Sequence, residues 1–223
     1  MTGKLRNVEE EMSQLNTDIL GLNEKHIYYL GENDTHHRYG TVISVLNEIA
    51  KSVIKFAPLN NRVVLLQLET AHRKIIHSYA PTNDKTENKV KDFYVTLDEV
   101  TKLTKNGKIT MVLGDFNSKL EHSAKGVGAF GLGDRNSDRD RLVQFCTENH
   151  LFAANTFFKQ YNRRLYTWKS PMNCEGRDIK NKIDFILLIL RKYVKSVRKN
   201  IPRCRCQQRS QPSCHGLQIQ EIH

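Results

Sequence analysis

The stretch Lys108-Ile-Thr-Met-Val-Leu-Gly-Asp-Phe-Asn117 decides how the rest of the chain is read. Ile109, Met111 and Leu113, with Val112 between them, make a short apolar run bounded by turn residues, which predicts a buried strand. Gly114 is expected to let the backbone turn where a side chain would clash. Asp115 and Asn117 close the strand. Period-two alternation sends both to one side and Phe116 back into the core. A carboxylate and an amide side by side at a strand end suit phosphate chemistry: the Asp can orient or deprotonate a water, and the Asn can donate to a phosphoryl oxygen. The same residues could be no more than a strand ending in an Asx-rich turn.

Outward from that stretch the pattern alternates between helix and strand. Upstream, residues 86–105 carry an apolar stripe of Val90, Phe93, Tyr94, Leu97 and Val100 and stop at Asn106-Gly107, which predicts a helix. Before it, Arg62–Leu68 and Lys74–Tyr79 read as strands, the second ending in Ala80-Pro81-Thr82, so that Tyr79 stands at another strand end. Tyr79 is either a core aromatic or a donor to a phosphate. Residues 39–56 read as a strand and a short amphipathic piece. Asp18–Glu24 reads as a buried strand delivering Glu24 at its C-terminal end, and residues 4–16 as an amphipathic helix. Downstream, residues 118–137 are a Gly-rich polar loop without P-loop spacing, and residues 138–149 a helix with Leu142, Phe145 and Cys146 inward. Leu151–Phe157 and Arg164–Trp168 read as strands. The apolar run Ile183–Leu187 contains Asp184, a charge that is costly there unless partnered, so Asp184 joins the site candidates. This is layered α/β material.

Composition narrows the class of function. The chain has 223 residues, 39% of them hydrophobic, and no apolar run approaches the roughly 20 residues of a membrane span. The expectation is one domain with no membrane segment and no signal peptide. Five cysteines, three of them in the tail, do not form a disulfide framework and point to a reducing compartment. A formal net charge of +11 suits a polyanionic partner, nucleic acid first.

Six segments in order, Asp18–Glu24, Tyr79–Thr82, Gly114–Asn117, Gly131–Gly133 with Asn136, Tyr166–Pro171 and Ile183–Leu187, resemble the endonuclease/exonuclease/phosphatase superfamily. The chain is most similar there to endonucleases of LINE-type retrotransposons and the craniofacial development protein 2-like sequences related to them. The resemblance implies a DNase-I-like fold, a four-layer α/β/β/α sandwich. It also implies Mg²⁺-dependent (or Mn²⁺-dependent) hydrolysis of DNA phosphodiesters by a monomer, with nuclear residence following from the substrate. By resemblance, Glu24 holds the divalent metal and Asp115 aligns or deprotonates water. Asn117 and Tyr79 hold the scissile phosphate, Thr167 touches phosphate, and Asp184 orients a histidine.

The chain departs from this pattern at both ends. It begins at the helix that in the family follows the first strand, so that strand and its Asn are expected to be missing. It ends in Arg203–His223 in place of the family's Ser-Asp-His. Codons can be chosen for those residues whose shifted frame reads Gly-Ala-Asp-Val-Asn-Ser-Asp-His-Asn-Leu, so a frameshift near residues 199–202 is the hypothesis for the tail. A coding sequence whose shifted frame lacks Ser-Asp-His would end it. The expected division is a domain over 1–200 and an aberrant, disordered tail over 201–223. His215, beside Cys214, is the remaining histidine candidate, a match that the shifted frame makes coincidental. The expectation is therefore an endonuclease of impaired activity. The alternatives are a non-catalytic nucleic-acid-binding protein that keeps the basic surface, and a small-molecule phosphatase.

Overall fold

The computed structural model describes residues 19–24, 40–45, 50–69, 74–82, 86–104, 110–121, 124–133, 136–161, 165–170, 179–189, 196–200 and 216–220. Its centre is a six-stranded sheet in the order β3-β4-β5-β6-β10-β7. These strands are β3 (Val53–Asn60), β4 (Val63–Leu68), β5 (Lys74–Tyr79), β6 (Thr110–Asp115), β7 (Phe152–Ala153) and β10 (Asp184–Leu188). The pairings are antiparallel except β5–β6, which is parallel and is joined through a helix crossover.

Two helices cover one face of this sheet: α1 (Glu87–Thr104) and α2 (Ser137–Glu148). Val63, Leu65, Ile76, Val112, Phe185 and Leu187 point from the strands toward Phe93, Leu97, Val100, Leu142 and Phe145 of the helices. Each such side chain, fully buried, contributes about 1.5–3 kcal/mol. The opposite face carries the alternate residues. Val64, Leu66, Leu68 and Ile75 pack against Ile43 of β2 (Gly40–Val45), which pairs antiparallel with β1 (Ile19–Glu24). Met111, Ile186 and Leu188 pack with Phe152 and Ala154. The central strands are therefore buried on both faces, which explains why they read as continuous apolar runs and not as alternating ones.

Two small antiparallel pairs complete the described strands. β8 (Trp168–Lys169) pairs with β9 (Lys180–Asn181), and β11 (Ser196–Asn200) pairs with β12 (Gly216–Gln220). Helix, sheet and second sheet make three layers of the expected sandwich. The expected helix over residues 4–16 lies outside the described residues. Segment 201–223, expected to be disordered, carries one described strand, β12, whose backbone pairs with β11 through residues 216–220.

Three expectations change in detail. Residues 39–56 hold two strands, β2 and the start of β3, in place of a strand and an amphipathic piece. The strand expected over Leu151–Phe157 stops after Phe152–Ala153 and becomes a 3₁₀ turn, Ala154–Thr156, because Asn155 and Thr156 bond backbone groups through their side chains. Gly114 is extended, not turned, and serves close approach: a Cβ there would lie 1.9 Å from the Ser78 carbonyl oxygen.

Candidate active site

The strand register brings three of the sequence candidates into one row. β5 and β6 run parallel with Tyr79 opposite Asp115, and β10 runs antiparallel to β6 with Asp184 opposite Asp115. All three share parity with His77, Leu113 and Ile186, so they lie on the face turned away from the helices. They crown three adjacent strands at one end of the sheet.

Asp184 is buried, at 7% exposure, and neither of its backbone polar groups is spent on β6. Its N–H donates to Thr167 Oγ1 at 3.1 Å, and its carbonyl accepts from Asn155 Nδ2 at 2.9 Å. Asp184 and Asp115 are therefore a non-hydrogen-bonded antiparallel pair, the kind in which side chains stand closest, with Cα atoms typically about 4.5 Å apart. Two carboxylates so placed repel each other. The Asp115 carboxyl is held well above the usual carboxylate range, first by burial and then by the Asp184 charge, with the Asn117 N–H pulling the other way. The Tyr79 phenol is raised as well, by burial and by Asp115, while the Arg62 cation pulls it down.

Local bonds fix the turn after Asp115. The Asn117 N–H donates to Asp115 Oδ1 at 2.8 Å, and Asn117 itself takes a left-handed φ of 48°. That φ breaks the alternation assumed from the sequence. The Asn117 side chain instead reaches the end of β5, where Nδ2 donates to the Ala80 carbonyl at 3.0 Å. Ala80 N–H in turn donates to the Asp115 carbonyl at 2.8 Å. Asn136 closes the turn, its Nδ2 donating to the Asn117 carbonyl and its Oδ1 accepting from Lys119 N–H. Phe116 is buried in the core at 1% exposure, as its position predicts.

The remaining candidates stand apart from the row or beyond description. Thr167 is 1% exposed, and its Oγ1 accepts from the N–H groups of both Ile183 and Asp184. Glu24 ends β1 opposite Gly40, and β1 approaches β6. His215 lies outside the described residues. Of the described histidines, His77 sits two residues deeper in β5 and His150 follows α2, so neither belongs to the row.

Four participants were not singled out from sequence as site residues. Arg62, at the β3–β4 turn, lies over the Tyr79 ring at 5.5 Å and donates through Nη1 to the Tyr79 carbonyl. Asn136 pins the Asn117 turn, while Asn155 and Lys182 brace the start of β10. Only Asn136 carried a signal, as part of the Gly131–Asn136 segment. An arginine in a turn and an asparagine in an apolar run carry none.

The donor set suits a hard divalent cation. A pair of carboxylates, one held protonated-prone by burial and then by the other, is an arrangement whose repulsion a bound Mg²⁺ or Mn²⁺ would relieve. Among the described residues no group of three or more His, Cys, Asp and Glu side chains stands together as a complete shell.

The comparisons with known proteins agree with this architecture. The chain is 34% identical over 202 residues to craniofacial development protein 2 of Tragulus javanicus and 33% identical over 202 residues to that of Bos taurus. Each alignment takes in 83% of this chain but only 34% and 33% of those proteins, so the chain spans about a third of the length of the curated relatives it matches. Among solved structures it is similar to the 3′ phosphatase NExo from Neisseria bound to a product DNA hairpin, with a TM-score of 0.67 and 17% identity over 99% of this chain and 95% of that one. The 3′–5′ exonuclease NExo from Neisseria meningitidis matches with a TM-score of 0.65 and 19% identity over the same shares. No family model matches the chain. The fold is DNase-I-like, a mixed α/β sandwich around a central multi-stranded sheet.

Proposed function

We propose that this chain carries a divalent-metal-dependent phosphodiesterase site acting on DNA, of the endonuclease type found in LINE-type retrotransposons. The observation that carries the reading is the register of Tyr79, Asp115 and Asp184 across three adjacent strands. Asp115, its affinity for a proton raised by burial and by Asp184, is poised to take one from an attacking water. Tyr79 keeps its phenol protonated and can donate to a phosphoryl oxygen. Asn117 has a second Nδ2 hydrogen beyond the one given to Ala80, and it can donate to the same group. Thr167, the phosphate contact that the resemblance implies, fixes Asp184 through its oxygen. Glu24 would hold the Mg²⁺, which supplies charge neutralisation for the phosphate when bound.

Turnover is expected to be slow. The sequence carries no Ser-Asp-His, the motif that the resemblance leads one to expect, and loss of a donor to transition-state charge typically costs about 10²–10³ in rate. A second reading, non-catalytic binding of nucleic acid, rests on the net charge of +11.

Nicking of supercoiled plasmid separates the two readings. Nicking that requires Mg²⁺, stops with EDTA and is abolished by Asp115→Asn supports the phosphodiesterase. Salt-sensitive DNA binding with no Mg²⁺-dependent nicking, unchanged by Asp115→Asn, would sink it and leave the binding protein.

A further inference from the structure

β10 begins with a gap beside it. Its neighbour β7 pairs with Leu187 and Leu188, so among the described residues no strand bonds the edge of Asp184 to Ile186 on that side. Two side chains fill the gap: Thr167 Oγ1 takes the Asp184 N–H, and Asn155 spans the rest. Asn155 Nδ2 donates to the Asp184 carbonyl at 2.9 Å, and Asn155 Oδ1 accepts from the Ile186 N–H at 3.4 Å. One primary amide thus offers a donor and an acceptor at the two places where a strand would offer a backbone N–H and C=O.

The amide is itself held. Asn155 is 5% exposed, in the 3₁₀ turn that directly follows β7. Its own carbonyl accepts from Lys182 Nζ at 3.0 Å, and the same ammonium donates to the Phe130 carbonyl at 2.9 Å. The Gly-rich loop is locked to the same turn, with Gly128 N–H on Thr156 Oγ1 and Phe130 N–H on the Thr156 carbonyl. Loop, turn and strand start therefore form one braced unit, with Asp184 as the residue it presents to Asp115.

We infer that Asn155 is a positioning residue for Asp184, acting as a one-residue strand substitute that keeps the second carboxylate in register with the first. This rests on the phosphodiesterase reading for its catalytic consequence but not for its geometry. Deleting the amide leaves the Asp184 carbonyl and the Ile186 N–H unheld on that side, with Thr167 alone still on the Asp184 N–H, so Asp184 sits less firmly in the row, while no positive charge is removed.

The test compares Asn155→Ala and Asn155→Asp with the parent chain and with Asn149→Ala. Asn155→Asp keeps the acceptor for Ile186 but loses the donor to Asp184. Asn149→Ala removes a buried amide that bonds Asp98 and the Phe145 carbonyl at the end of α2, and so matches the loss of buried bonds far from the row. Amide hydrogen exchange, read by NMR without DNA or metal, is expected to quicken at Ile186 in Asn155→Ala well beyond the change at Ile76 in the sheet centre. Nicking turnover is expected to fall about tenfold or more in both Asn155 variants, with the Kd for DNA unchanged and with Asn149→Ala turning over like the parent. Unchanged protection at Ile186 overturns the inference, and so does unchanged turnover once protection is lost. An equal loss in Asn149→Ala, or a rise in Kd that accounts for the rate, also overturns it. If the parent chain does not nick, the proposed activity fails, and exchange at Ile186 alone decides whether Asn155 holds β10.

Discussion

Two rows of the same sheet face, two residues apart, bury titratable groups in opposite ways. The deeper row runs Val64, His77, Leu113, Ile186 across β4, β5, β6 and β10. The row above it runs Tyr79, Asp115, Asp184. His77 is 2% exposed among apolar neighbours, and burial alone pushes its imidazole down from 6.5 to about 4, so it sits in the core as a neutral, passive side chain. Asp115 has a second carboxylate directly opposite, so its burial leaves repulsion that only a proton or a cation removes. The fold tolerates the first group by discharging it. The second keeps a use for charge.

The sharpest way to break this contrast is Asp115→Asn. Nicking should fall by about 10²–10³ or more, since the variant keeps the shape and loses the proton acceptor. The same change should raise Tm at neutral pH. A carboxyl whose proton affinity is raised in the fold opposes folding once ionised, so removing its charge relieves that cost. Adding Mg²⁺ should raise the Tm of the parent and leave Asp115→Asn nearly unmoved. A variant that is both inactive and less stable than the parent would show that Asp115 is a structural partner and not a strained one.

Between the two rows lies Gly114, whose missing side chain lets β5 and β6 approach. Gly114→Ala would drive a Cβ to 1.9 Å from the Ser78 carbonyl oxygen, a backbone atom that cannot swing aside. The expected cost is about 3 kcal/mol or more, at the upper end for overpacking, read by denaturant unfolding. Because Ser78 precedes Tyr79, the same strain should spread the upper row, and nicking should fall further than lost stability explains.

Much of this arrangement was legible before any coordinates. The stripes of α1 and α2 named Phe93, Leu97, Val100, Leu142 and Phe145, all of them buried, because a helix written at 3.6 residues per turn shows its core face in one segment. β5 and β6 were legible as apolar runs, Tyr79 and Asp115 as polar residues at the ends of such runs, and Asp184 as a charge inside one. Their mutual register was not, since strand pairing joins residues 79, 115 and 184 across the chain and no local pattern encodes it. Asn117 was misdirected for a local reason: its left-handed φ cancels the alternation that placed it beside Asp115. Asn155 was invisible because a side chain that replaces a strand leaves the sequence looking like a strand that continues.

The deeper row makes its own prediction. Unfolding lets His77 titrate near 6.5 against about 4 in the fold, so the unfolded chain holds more protons between those values. Stability should therefore be full above pH 6.5 and fall as pH drops toward 4, by about 3 kcal/mol in all. His77→Leu should flatten that fall in urea unfolding curves taken across the window. At pH 7 it should be neutral or stabilising by about 1 kcal/mol, since Nδ1 has no hydrogen-bond partner among the described residues. A loss of stability at pH 7 with the acid fall intact would mean that the imidazole is a bonded member of the core.

The smallest effect expected is at the rim, where Arg62 meets Tyr79. The guanidinium stands over the ring and also donates to the Tyr79 carbonyl at 3.2 Å, so one side chain ties the turn before β4 to the end of β5. An exposed cation–π contact of this kind contributes about 0.5–1 kcal/mol. Arg62→Met keeps the stem and removes the charge. The phenol of Tyr79 should then titrate at still higher pH, because the one cation that favours its ionised form is gone while Asp115 and Asp184 still oppose it. Asp115→Asn should move the same phenol the other way. Tyrosinate absorbance in the two variants thus reads the row from both sides without DNA or metal. A phenol that answers to neither charge would place Tyr79 outside the row and confine the electrostatics of the site to the two carboxylates.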